Sequence, residues 1–198
     1  MAKRAIFVLA LAGLAASSCS KSHTASDDDG WTVYNTAPLP RIEPGSDVMY
    51  VQWLTPPFDE DTDVIDVTGT QSEGGHHVIL FATASSADVG TTKPWSPKDM
   101  DGLLRYEGGL GEGADNTKLP AGTVFRVPAG QSIIANLHFL NPKDKPIDNP
   151  TAQIKFKFAK PTPDRRPIGI FVNLNSTFQL QAGTVATADS ECEVKSEL

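Results

Sequence analysis

The 198-residue chain carries 24 acidic against 17 basic residues, a net charge of −7, with 16 Gly and 15 Pro. That charge removes the basic face that nonspecific nucleic-acid binding needs, so no nucleic-acid partner is expected, and it leaves no polybasic patch for anionic lipid. Two cysteines and four histidines exclude a four-cysteine zinc site and a disulfide-dense scaffold, while the Gly and Pro content predicts short elements and frequent turns.

In chain order, Lys3 and Arg4 precede an apolar run from Ala5 to Ala16, followed by Ser17, Ser18 and Cys19. A charged start, a short apolar stretch and small residues before a cut are the layout of a secretory signal peptide, read here over residues 1–18. The small residues ending in Cys19 resemble a bacterial lipobox, with Ala16 where Leu is usual. This implies lipidation of Cys19 and an exported, membrane-anchored lipoprotein of the bacterial cell envelope, held to the membrane by lipid alone. Ordinary cleavage near Ser17–Ser18, leaving a free Cys19, is the alternative. Residues 19–30 are polar and aperiodic and read as a flexible tether, with His23 solvated in it. Beyond the N-terminus no apolar run is long enough to span a bilayer.

From Trp31 the apolar residues fall in short runs. Predicted strands are Trp31–Tyr34, Met49–Leu54, Val64–Thr70, His77–Thr83, Thr123–Val127, Ser132–Leu140, Gln153–Phe158, Ile168–Phe171 and Ser176–Leu180. In Gln153–Phe158, Ile154, Phe156 and Phe158 alternate with Lys155 and Lys157, the period of a half-buried strand. Pro56–Pro57, Gly74–Gly75, Pro128–Gly130 and Asn141–Pro142 punctuate the runs. The expected fold is all-β: an antiparallel β-sandwich of jelly-roll type over residues 31–188, with a C-terminal tail at 189–198. Ala84–Lys118 reads as an extended loop with one helical turn near Pro97–Leu104, and the acidic stretch Asp59–Asp66 as a solvated loop.

Three histidines lie in predicted strands: His76 and His77 behind Gly74–Gly75, and His138 in another strand. Imidazole is the commonest side-chain ligand of transition metals. Against a shared site, successive strand residues point to opposite faces; in its favour, the two glycines permit a bulge that re-aims one ring. A metal site and a bland arrangement, with His138 hydrogen-bonded in the core and His76–His77 at the surface, both fit the spacing. Ligand type alone admits copper or zinc.

The segment GGHHVILFAT resembles the double-histidine region of the copper type II, ascorbate-dependent monooxygenases, the family of peptidylglycine α-hydroxylating monooxygenase and dopamine β-monooxygenase. LPAGTVFRVPAGQSIIANLHFLNP resembles the stretch that carries that family's third ligand, with His138, Phe139, Asn141 and Pro142 at its end. DVMYVQWLTPPFDEDTDVIDVTGTQ is similar to the family's opening strands. The resemblance runs from about Glu43 to Leu180. It implies that His76, His77 and His138 hold one copper per chain, the electron-transfer copper of the family's first domain, with ascorbate as reductant. The family's second, O2-activating copper uses a His-x-His pair and a Met, and no His-x-His occurs here. The expectation is thus a monooxygenase-like oxidoreductase domain, truncated before the O2-activating half, that does not hydroxylate by itself and either works with a separate second monooxygenase domain as partner or survives as a fragment. No residue is assigned a catalytic role. The other reading is a non-enzymatic envelope lipoprotein with a jelly-roll binding or copper-holding role. A zinc hydrolase ranks last, for want of a nearby base.

Among the remaining features, Met49 and Met100 are candidate thioether ligands for Cu(I) by residue type, but Met49, within an apolar strand, reads as core, and Met100, in a loop beside Asp99 and Asp101, has no assigned role. Trp53, Trp95 and Phe139 read as packing rather than a sugar-binding face. Cys192 reads as an unpaired thiol if Cys19 is lipidated.

Overall fold

The computed structural model describes residues 24–26, 29–96, 104–108 and 119–169, with 179, 181–187, 189 and 191 near the C-terminus. The signal segment, Cys19, His23, Met100, Cys192 and all of the expected strand Ser176–Leu180 except Gln179 lie outside the described residues.

Among the described residues there is no helix, and eleven strands form two sheets. The strands are β1 (Thr24–Ser26), β2 (Thr32–Asn35), β3 (Asp47–Trp53), β4 (Thr62–Gln71), β5 (Gly75–Thr83), β6 (Thr92–Pro94), β7 (Leu104–Gly108), β8 (Thr123–Val127), β9 (Ser132–Leu140), β10 (Ala152–Ala159) and β11 (Arg166–Pro167). One sheet has the order β1-β2-β10-β4-β8-β11 and the other β6-β3-β9-β5-β7. All pairings are antiparallel except the short one between β11 and β8. From β2 to β5, and again from β7 to β10, the chain changes sheet at every connection. The result is the expected all-β sandwich.

Strand periodicity explains the packing. In β10, Ile154 and Phe156 are buried and alternate with the half-buried Lys155 and Lys157. Facing them from the other sheet are Val78, Leu80 and Ala82 of β5 and Ile133, Ala135, Leu137 and Phe139 of β9, all in the main core. Strand β9 is buried at every position from Ser132 to Phe139, so it has no solvent face. Its inner residues fill the sandwich. Outside, Ile134 joins Val51, Trp53 and Phe81 in a second cluster, covered in part by Ala87 and Trp95. The five-stranded sheet is therefore apolar on both faces. Trp53 and Trp95 pack on the outer one while Phe139 is fully buried in the inner one, so these aromatics share no sugar-binding face.

Several expectations need correction. Thr24–Ser26, within the expected tether, pairs with β2 and covers that strand's otherwise open edge. The loop expected over Ala84–Lys118 contains β6 and β7, and Leu104, expected in a helical turn, opens β7. β6 carries Pro94 and is an edge strand, where a missing N–H costs least. Ile168 and Gly169 are irregular, and the short strand lies just before them at Arg166–Pro167.

The acidic stretch Asp59–Asp66 is not wholly a solvated loop. Asp63 lies in β4 with 0% exposure, opposite Arg126 of β8. Arg126 donates to it from Nε at 2.7 Å and Nη2 at 3.2 Å, and Arg165 lies 3.7 Å away. The hydrogen bond to Asp63 raises the Arg126 pKa above the usual guanidinium value. A buried carboxylate needs such partners, because its charge is otherwise uncompensated.

Candidate metal centre

The double histidine sits at the start of β5, behind a tight turn. Gly75 N–H donates to the Ser72 carbonyl at 3.0 Å, closing the turn over Glu73 and Gly74. Gly74 has φ of 80°, the left-handed region in which a side chain is strained. A Cβ there would also meet Ile147 Cδ1 at 2.5 Å and the Leu140 carbonyl oxygen at 2.9 Å. The Leu140 N–H donates to the Gly74 carbonyl at 2.8 Å, so the turn is clamped to the end of β9, two residues from His138.

The pairing of β5 with β9 then slips. Gly75 stands opposite Phe139 and His77 opposite His138, with a register shift between Gly75 and His77. His76 is the extra residue of a β-bulge. This removes the objection that neighbouring strand residues diverge: a bulge bends its strand and re-aims the side chain it carries. All three rings gather on the outer face of the five-stranded sheet. Their centroids are 4.9 Å apart for His76–His77, 4.7 Å for His76–His138 and 4.6 Å for His77–His138.

The three Nδ1 atoms converge. His76 Nδ1 lies 2.8 Å from His77 Nδ1, which lies 3.4 Å from His138 Nδ1. Two nitrogens each ~2.0 Å from one ion are about 2.8 Å apart at a right angle and about 3.3 Å apart at a tetrahedral angle. The His76–His77 and His77–His138 separations, 2.8 and 3.4 Å, lie close to these two values. Among the described residues these three are the one group of His, Cys, Asp and Glu side chains placed to hold a metal ion, their ligand atoms all within 4.8 Å of one another.

Asp47, at the start of β3, fixes the ring of His138. Its Oδ1 lies 2.6 Å from His138 Nε2. A carboxylate only accepts, so Nε2 carries the proton, and in the neutral ring the Nδ1 lone pair faces His77. A carboxylate behind a histidine is a recurring outer partner of metal ligands, because it sets the tautomer and raises the ring's basicity. Gln71, at the end of β4, holds the same residue by its backbone, Nε2 donating to the His138 carbonyl at 3.1 Å. Asn141 braces the adjoining loop, donating from Nδ2 to the carbonyls of Ile42 at 3.0 Å and Lys145 at 2.9 Å. Exposure falls across the site: His76 is exposed, His77 half-buried and His138 buried. One side of the cluster is therefore open to solvent.

All three histidines singled out in the sequence come together. Asp47 and Gln71 were missed, since their roles depend on which strands pair and in what register. Met49 was expected in the core. It lies instead on the outer face, because its neighbours Val48 and Tyr50 take the inner one. In comparisons with known proteins, no family model and no curated protein matches the chain.

Proposed function

We propose that the protein is a copper-binding redox domain in which His76, His77 and His138 hold the metal through Nδ1. The observation that carries this reading is the convergence of the three Nδ1 atoms, with Asp47 behind His138 to fix its tautomer. When bound, copper supplies a one-electron couple, with ascorbate as the electron donor that the resemblance implies. The residues divide the work. His138 and His77, held by paired strands, form the rigid part of the site, and the exposed His76 closes it on the bulge. Gly74 and Gly75 let the bulge form beside Leu140 and Gln71. The electron-transfer role, a separate O2-activating partner domain, and envelope anchoring through lipid on Cys19 belong to the same proposal.

The test is a loading and reduction experiment on the chain. It is expected to retain one copper after removal of excess Cu(II), to lose its Cu(II) paramagnetic signal on anaerobic addition of ascorbate, and to regain it in air. Retention of copper that ascorbate does not reduce would favour a copper-holding lipoprotein without turnover. Failure to retain copper would contradict both readings.

A further inference from the structure

On the outer face of the five-stranded sheet, one row of residues crosses three strands. Met49 on β3 stands opposite His138 on β9, and His138 stands opposite His77 on β5. Directly opposed residues of an antiparallel pair keep their Cβ atoms ~4.5–5.5 Å apart. Methionine is unbranched and flexible, so its sulfur can be brought to a site one strand away.

Met49 is half-buried and belongs to neither hydrophobic cluster. The core takes Val48 and Tyr50 from β3, and the outer cluster takes Val51 and Trp53. Asp47, two residues before Met49 and on the same face, already holds His138 Nε2. Strand β3 thus brings two residues to one histidine: Asp47, whose carboxylate holds its ring, and Met49, which stands directly opposite it on the same face.

We infer that Met49 is a fourth ligand of the histidine site through its thioether sulfur, and that it selects Cu(I). The inference rests on the copper reading above. Three imidazoles suit copper in either oxidation state and zinc as well, whereas a thioether is a soft donor that favours Cu(I). One residue would then decide two properties, which metal occupies the site and which oxidation state it prefers.

The experiment compares the full chain with Met49→Leu, a swap of similar volume that a packed position tolerates. Both are titrated anaerobically with Cu(I) against a chromophoric Cu(I) chelator, and separately with Cu(II) and with Zn(II). The leucine variant is expected to bind Cu(I) about tenfold more weakly at unchanged Cu(II) and Zn(II) affinity, which lowers the copper potential by about 59 mV for a one-electron couple. X-ray absorption at the copper edge of the Cu(I) form is expected to show a sulfur neighbour in the parent chain and none in the variant. Equal Cu(I) affinity in the two proteins, or equal weakening of both oxidation states, would overturn the role of Met49 while the three-histidine site stands. A parent chain that retains no copper at all would overturn the reading beneath it.

Discussion

His138→Ala is expected to abolish tight copper binding. It removes the buried member of the three, the one whose Nδ1 lies 3.4 Å from His77 and whose Nε2 is held by Asp47. Two imidazoles then remain, the half-buried His77 and the exposed His76. The loss should exceed the ~10–100-fold that removal of an outer-shell partner costs. Asp47→Asn gives that smaller reference value, since all three ligands stay while the carboxylate that sets the His138 tautomer is gone. A competition titration of the parent, His138→Ala and Asp47→Asn should therefore rank them in three steps. His138 lies on the outer face, away from the sandwich core, so the alanine variant is expected to stay folded. Parent-like affinity in His138→Ala would remove it from the ligand set.

Gly74→Ala is expected to damage stability and metal binding together. At φ of 80° an alanine carries backbone strain of ~1–3 kcal/mol. The added Cβ would also press on the Leu140 carbonyl oxygen at 2.9 Å, and that group is backbone that cannot turn aside. Relief requires the turn to move away from β9, which breaks the Leu140–Gly74 hydrogen bond and releases the bulge that aims His76. The melting temperature should fall by roughly 2–4 °C for each kcal/mol lost. Copper affinity should fall with it even well below the transition, because the ligand geometry depends on the bulge. Thermal unfolding with a copper titration at low temperature checks both. A variant with parent-like affinity would show that the bulge does not need the left-handed turn.

The two-sheet fold was legible because its central strands carry clear periodicity. Thr123–Val127 and Ser132–Leu140 have the boundaries read from the sequence, and Gln153–Phe158 needed one residue more at each end. The edge strands were not legible. Thr92–Pro94 has no alternating apolar residues to read, and Arg166–Pro167 is two exposed residues ending in a proline. At the site, residue chemistry pointed to His76, His77 and His138, and Gly74–Gly75 pointed to the bulge. Register was hidden. Asp47 is an ordinary acidic residue until β3 pairs with β9 and brings it to His138. Met49 misled for a related reason. Strand β3 is apolar on both faces, since Val51 and Trp53 are covered from outside, so alternation could not say which way Met49 faces. The buried Asp63 shows the same limit: its cross-strand partner Arg126 is 63 residues away in sequence.

The central claim is that three imidazoles bind one copper through Nδ1. Pulsed electron paramagnetic resonance of the Cu(II)-loaded chain, with histidine labelled by nitrogen-15, tests it most directly. The account predicts coupling to three imidazole rings, each through its remote Nε2, with one coupling lost in each single histidine variant that still retains metal. Copper that shows no imidazole coupling, or the same three couplings after His76→Ala or His77→Ala, would contradict it.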